Sequence, residues 1–161
     1  MPTAQRCQQA RLARDARFDG LFYTAVRTTG IYCRPVCPAP PALARNVVYY
    51  PSAAAAAAAG YRPCLRCRPE LSPDSDPLAQ HPVVRRALEM IGDGLLQEHP
   101  SKELARRLGI SPRQLQRVMV AALGATAAQI HANARLLLAR QLLTETALPV
   151  TEVALAAGYQ S

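Results

Sequence analysis

The chain has no tryptophan and only two phenylalanines and six tyrosines in 161 residues. An all-β sandwich or barrel core, which leans on aromatic and β-branched side chains, is therefore unlikely on composition. No stretch approaches the ~20 consecutive apolar residues that a bilayer span requires. The first twenty residues carry Arg6, Arg11, Arg14 and Arg17 without the apolar run of a secretory leader. A membrane protein is excluded on this reading, and a cytoplasmic location is expected. Lysine is almost missing too: 18 of the 19 basic residues are arginine. The planar guanidinium fork suits bidentate phosphate recognition, and the net charge of +8 makes nucleic acid the expected partner. That charge is uneven. Residues 1–72 carry +7 and the remainder +1.

What is present in quantity is alanine and leucine, the composition of small helical domains, together with five cysteines. Cys33 and Cys37 form a C-x-x-x-C pair, Cys64 and Cys67 a C-x-x-C pair, and 26 residues separate them. Each pair lies in a proline-punctuated turn, where two thiolates can face one ion, and two such knuckles complete the tetrahedron that zinc accepts. Spacing alone reads most simply as a structural four-cysteine site, with disulfides the less natural alternative. Cys7 stands apart and reads as an incidental thiol in a frayed terminus.

Around the knuckles, Gly20–Arg27 alternates as a strand and Asn46–Tyr50 is a second β-prone run. Ser52, seven alanines and Gly60 spell a capped short helix with a glycine stop. The fold class expected is a small α+β zinc-binding domain over 1–71, a proline-rich linker over 72–80, and an all-α domain over 81–161.

In the second half, Val83–Gln97 has helical period, weakened by Gly92 and Gly94. Ser101 caps a short helix, Gly109–Ile110 makes a tight turn, and Ser111 with Gln114 forms a capping box ahead of Pro112. Leu115, Val118, Met119 and Ala122 share one side of that helix. Arg113, Gln116 and Arg117 project from the other, with the side-chain types that contact phosphates and base edges in a major groove. Thr126 caps a long helix whose expected buried stripe is Ile130, Ala134, Leu137, Leu138 and Leu142. Glu103–Gly109 is echoed 49 residues later by Glu152–Gly158, so a second helix-turn-helix begins and is expected to be incomplete at Ser161. His81, His99 and His131 match no metal or catalytic pattern.

The runs Phe18-Asp-Gly-x-Phe22, Ala25-Val-Arg-Thr-Thr-Gly-Ile-Tyr-Cys-Arg-Pro-x-Cys37, Asn46-Val and Ala-Ala-Gly-Tyr-Arg-Pro-Cys-x-Arg-Cys67 resemble the zinc domain of the Ada family of DNA alkylation-damage proteins. Residues 80–161 are similar to the AraC-type tandem helix-turn-helix domain that follows it in that family. The resemblance implies Zn²⁺ bound by Cys33, Cys37, Cys64 and Cys67, with Cys33 also the nucleophile that takes a methyl group from a DNA methylphosphotriester, once per protein molecule. It implies DNA contacts by Thr29, Arg62 and Arg66, with Arg45 a further expected contact. The sequence departs from the family over Pro38–Ala44, where basic residues are common in relatives and Arg45 alone remains. Implied partners are double-stranded DNA, methylated in its backbone or carrying promoter sites, and RNA polymerase, with the protein a monomer. Methylation would switch on DNA binding and transcriptional activation. The alternatives are a zinc-stabilised AraC-type transcription factor without chemistry and the N-terminal part of a 3-methyladenine glycosylase fusion; relatives continue into either a glycosylase or an O6-methylguanine methyltransferase domain, so the chain reads as C-terminally truncated.

Overall fold

The structure is a computed structural model that describes residues 1–73 and 81–159; most of the expected linker lies outside the described residues. Four short strands, β1 (Tyr23–Val26), β2 (Ile31–Cys33), β3 (Val47–Tyr50) and β4 (Arg62–Pro63), form one sheet in the order β3-β1-β2-β4. β1 pairs antiparallel with both β2 and β3, while β4 runs parallel to β2. Because side chains alternate across a sheet, Tyr23, Ala25 and Tyr32 face one way and Phe22 and Thr24 the other. The first set is buried under α2 (Ala53–Ala58), against Ala56. Ser52 caps α2 by accepting from the Ala55 amide at 3.0 Å, and the stop at Gly60 has a φ of +91°, as its sequence signals require.

The opposite face corrects one expectation. The N-terminus is not frayed: Thr3 caps a ten-residue helix, α1 (Ala4–Ala13), and Cys7 on it is fully buried. Cys7 and Ala10 pack on Phe22, with Phe18 and Tyr49 alongside. Burial pushes the Cys7 thiol above its ordinary range, so it behaves as a small apolar side chain.

Beyond the undescribed segment the chain is helical: α3 (Pro82–Gly92), α4 (Leu95–Glu98), α5 (Ser101–Arg107), α6 (Pro112–Leu123), α7 (Ala127–Glu145) and α8 (Val150–Ala156). The single helix expected over Val83–Gln97 is two, because Gly94 takes a φ of +87° and turns the chain. Ser101 lies inside α5 rather than capping it; Pro100 holds the cap position and no side chain bonds there. Ser111 does cap α6, accepting from Gln114 N, and Thr126 and Gln129 form a complete capping box on α7. Val84, Ala87, Ile91, Leu104, Leu115 and Met119 are central to a separate helical core. The repeat seen in the sequence is a repeat of backbone: Gly109 and Gly158 end α5 and α8 with φ of +68° and +77°, and the next residue's amide bonds back to Ala105 and Ala154 respectively.

The leucine stripe expected on α7 is not what it buries. Ala134 is exposed and Leu138 is 42% exposed, whereas Asn133 is buried. The reason is that α7 packs against α2 and the Pro69–Leu71 turn as well as against its own helical neighbours, so polar groups on that face are met by polar groups from the sheet half. The two halves also meet at Gly124, where an added Cβ would stand 2.9 Å from Pro51 Cγ and 3.0 Å from Ala55 Cβ. Ser52 Oγ donates to the Leu123 carbonyl at 2.6 Å beside it.

Candidate metal centre and nucleic-acid surface

Cys33 is the last residue of β2, and a tight turn closed by the Cys37 amide on the Arg34 carbonyl at 3.2 Å brings Cys37 back beside it. The parallel ladder supplies the other pair: the Cys64 amide bonds the Tyr32 carbonyl at 3.0 Å, placing the second knuckle against the end of β2. The sulfurs of Cys33, Cys37, Cys64 and Cys67 all lie within 4.8 Å of one another, and none is in a disulfide. Four thiolates around zinc at ~2.3 Å would stand about 3.8 Å apart. The 4.0 Å between Cys37 and Cys64 is of that size. Without a cation the four sulfurs do not ionise together: thiol contacts with Cys37 and Cys67, and then burial, push Cys33 far up, while contact with Cys33 pulls Cys37 down. A divalent ion that accepts four thiolates removes this conflict, so the donor set and its spacing fit zinc.

Main-chain amides bind two of the sulfurs: Arg34 N donates to Cys67 at 3.3 Å and Arg66 N to Cys64 at 3.4 Å. Among the described residues no amide reaches Cys33. The Arg34 side chain is anchored behind the knuckles, ion-paired with Asp19 and bonded to the Cys67 carbonyl at 3.1 Å.

Cys33 opens on a cleft of about 980 Å³ that is also lined by Thr29, Cys37, Cys64, Arg62 and Arg66. The structure thus brings together three of the four DNA-contact residues expected in the sheet half, each exposed, around the expected nucleophile. Arg45 is exposed in the turn before β3 and does not line this cleft. Cys67 is buried behind it. Arg113, Gln116 and Arg117 are exposed together on α6 and line a second groove of about 790 Å³ with Ser111 and Val120.

One cleft residue escaped the sequence reading altogether. Arg140 of α7 donates to the Cys64 carbonyl at 2.7 Å and stands 3.3 Å from the carboxylate of Glu70, whose side chain is 2% exposed. Glu70 is also paired with Arg68, which reaches Glu145 at the end of α7. This ionic chain, buried at Glu70 and Arg140 and exposed at Glu145, ties the second knuckle to the helical half. Arg140→Met should cost about 2 to 3 kcal/mol in urea unfolding, because it leaves a ligand's carbonyl and part of Glu70 unpaired. Amide exchange should accelerate in the second half of α7 and not in α6; uniform acceleration would show that the link is not local.

Comparison with known proteins agrees with this layout. Residues 6–70 match the family described as the metal binding domain of Ada, and residues 104–161 match a helix-turn-helix domain family. The chain is 46% identical over 158 residues to a probable bifunctional transcriptional activator/DNA repair enzyme AlkA of Mycobacterium tuberculosis, covering 98% of this chain and 32% of that protein. It is 43% identical over 122 residues to the bifunctional transcriptional activator/DNA repair enzyme Ada of Escherichia coli, covering 73% of this chain and 32% of the relative. The chain therefore spans about a third of the length of these curated relatives. A solved structure of a methylated N-Ada/DNA complex is 39% identical, with 83% of this chain and 98% of that one covered and a TM-score of 0.42. No described helix is long and apolar enough to cross a membrane. With the metal-binding match followed by the helix-turn-helix match, and a zinc-fitting cysteine cluster within the first, residues 6–70 belong to the family of Ada metal-binding domains and residues 104–161 to a helix-turn-helix domain family.

Proposed function

We propose that this chain is the methyl-accepting and DNA-reading part of a DNA alkylation-damage response protein, with Cys33 as acceptor. Residues 1–71 hold zinc through Cys33, Cys37, Cys64 and Cys67, and residues 81–161 read DNA. The observation that carries this reading is the asymmetry of the cluster: Cys33 opens on an arginine-lined cleft and carries no amide hydrogen bond, whereas Cys64 and Cys67 each accept one and Cys67 lies buried behind the cleft. Hydrogen bonds to a thiolate stabilise its charge, so a sulfur without them keeps more electron density for attack. Bound zinc keeps the four sulfurs ionised at neutral pH.

The Cys33 thiolate attacks the methyl carbon of a phosphotriester in the DNA backbone. An S–C bond forms, the C–O bond breaks, and the electron pair leaves on the phosphate oxygen, which becomes an ordinary phosphodiester anion. Arg62, Arg66 and the Thr29 hydroxyl hold the flanking backbone in the cleft. The product is a thioether, which water does not reverse, so the chain takes one methyl and stops. The support for repair chemistry is that the longer relatives this chain aligns with are named as repair enzymes and transcriptional activators.

Charge then links chemistry to regulation. Four thiolates on a divalent cation form a dianion beside phosphate; methylated, the site is a monoanion, and repulsion at close range falls. Methylated protein should bind one duplex about 5- to 150-fold more tightly than unmethylated protein, the range of ordinary coupling energies. Arg113, Gln116 and Arg117 on α6 supply the sequence preference and the basic sheet half the salt-sensitive attraction. The test is to incubate the zinc-loaded chain with a duplex carrying a methylphosphotriester, weigh the intact protein, and titrate both forms onto DNA across a salt series. One added methyl and a tighter methylated form are expected. Absence of any methyl uptake would leave a zinc-stabilised DNA-binding protein without chemistry, and equal affinities at every salt concentration would remove the switch.

A further inference from the structure

The cleft that holds Cys33 contains a second polar cluster, on the far side of β1. In the sheet register Thr24 lies directly opposite Cys33 on one side and Tyr49 on the other. Residues paired in this way share a face, so Cys33, Thr24 and Tyr49 form a row across three strands. At the end of the row the Tyr49 hydroxyl donates to Gln8 Oε1 at 2.7 Å and accepts from Arg11 Nε at 3.1 Å, and the same Arg11 Nε donates to Gln8 at 2.8 Å. Arg11 is only 7% exposed, yet it forms no ion pair with any described carboxylate. Its Nε is fully occupied by this triangle, and its two terminal nitrogens have no acceptor among the described residues. Thr24 is 6% exposed and its Oγ1 is buried without a hydrogen-bond partner. Both residues line the cleft.

A buried hydroxyl with no partner is costly to leave unsatisfied, and the Arg11 terminal nitrogens, on a side chain otherwise buried, face the cleft without a counter-ion. They lie in one cleft, on one face, and the donor groups they leave over can all be satisfied by an anion with several acceptor oxygens. We infer that Arg11 and Thr24 form a second phosphate-anchoring subsite of the Cys33 cleft, whose ligand is a phosphodiester of the same DNA strand. Two strand spacings separate Cys33 from Tyr49, about 10 Å. That span is too long for one phosphate group to touch both ends, so the subsite takes a phosphodiester neighbouring the reacting triester. Gln8 and Tyr49 hold the fork rigid, which limits the ordering cost of each contact. α1 is thereby more than a cover for the sheet: it delivers a cation to the substrate strand. Arg14 at its end reinforces the wall, bonding the Pro38 carbonyl at 3.1 Å and lining the same cleft.

This inference rests on the proposed methyl transfer, and the experiment separates the two. The zinc-loaded chain is given duplexes with one methylphosphotriester, in a series in which each neighbouring phosphate on that strand is replaced in turn by a neutral methylphosphonate. One replacement should slow transfer by the wild-type chain about tenfold at sub-saturating protein, the size of one charge-assisted contact. Arg11→Met should show the same slowing on the unmodified duplex, no further loss on that replaced duplex, and a salt slope smaller by about one. Arg11→Lys should recover part of the rate and the whole salt slope. Zinc content is measured for each variant, and the phosphonate series on the wild-type chain stands independently of whether Arg11→Met folds. If no single neighbouring phosphate matters to the wild-type chain, or if Arg11→Met keeps the full salt slope and the full phosphonate sensitivity, the subsite does not exist. If the wild-type chain transfers no methyl from any duplex, the reading of Cys33 fails before Arg11 is tested.

Discussion

Removing zinc is expected to unfold residues 4–70 while α3 to α6 remain helical. The sheet half has two thin cores, one of Cys7, Ala10 and Phe22 and one of Tyr23, Ala25, Tyr32 and Ala56, and its strands are two to four residues long. So small a core cannot offset chain entropy, and a structural zinc site contributes on the order of 10 kcal/mol to folding. The helical half has its own larger core around Leu104, Leu115 and Met119. The boundary of the loss should fall inside α7, because its second half is held by Arg140 on Cys64 and Glu70 and by contact with α2. Hydrogen exchange before and after chelation reads this directly; protected amides in β1 and β2 of the metal-free chain would contradict it. Zinc binding should strengthen as pH rises, since the metal-free Cys33 thiol is pushed up by its neighbours and must release its proton to bind.

Changing Cys33 should abolish methyl acceptance outright. Cys33→Ser replaces the acceptor with a hydroxyl, which is neither ionised at neutral pH nor a strong nucleophile. The loss must be separated from loss of zinc, so metal content and the β1–β2 amide protection are measured on the same sample. Cys37→Ser, Cys64→Ser and Cys67→Ser should weaken zinc binding, and transfer should fall only in step with metal occupancy. Supplying excess zinc should therefore recover transfer in these three variants and not in Cys33→Ser. Recovery in Cys33→Ser, or full activity in it at any zinc level, would remove Cys33 from the chemistry.

Which of these features the sequence reveals follows from how local they are. The four ligands are legible because two residues or three between thiols, within proline turns, is a local geometry that suits one ion. The α2 helix is legible from Ser52 and Gly60, and the repeat of α5 in α8 from matched residues that end in glycines of the same backbone sign. α1 is missed because its buried face includes Arg11, so no apolar stripe marks it and only Thr3 signals its start. The buried face of α7 is misread for the same reason: periodicity follows its leucines, whereas the residues it buries are Ala127 and Asn133 and the contact it makes with the second knuckle is through Arg140. Tyr32 with Asn133, Ser52 with Leu123 and Arg140 with Cys64 join residues more than 70 apart in sequence. Such pairs leave no periodic trace in either partner's own segment. The cleft is a consequence of them, so Thr29, Arg62 and Arg66 could be expected as contacts while Arg11, Thr24 and Arg140 could not.

The central claim is that one thiol of four is a nucleophile and the others are ligands. Its most direct test is to expose the zinc-loaded chain to a duplex bearing an isotopically labelled methylphosphotriester, digest it, and locate the label by peptide mass spectrometry. A single labelled methyl is expected on the peptide containing Cys33, with none on those containing Cys7, Cys64 or Cys67 and fragmentation excluding Cys37. A label on any other cysteine, or spread over several, would contradict it.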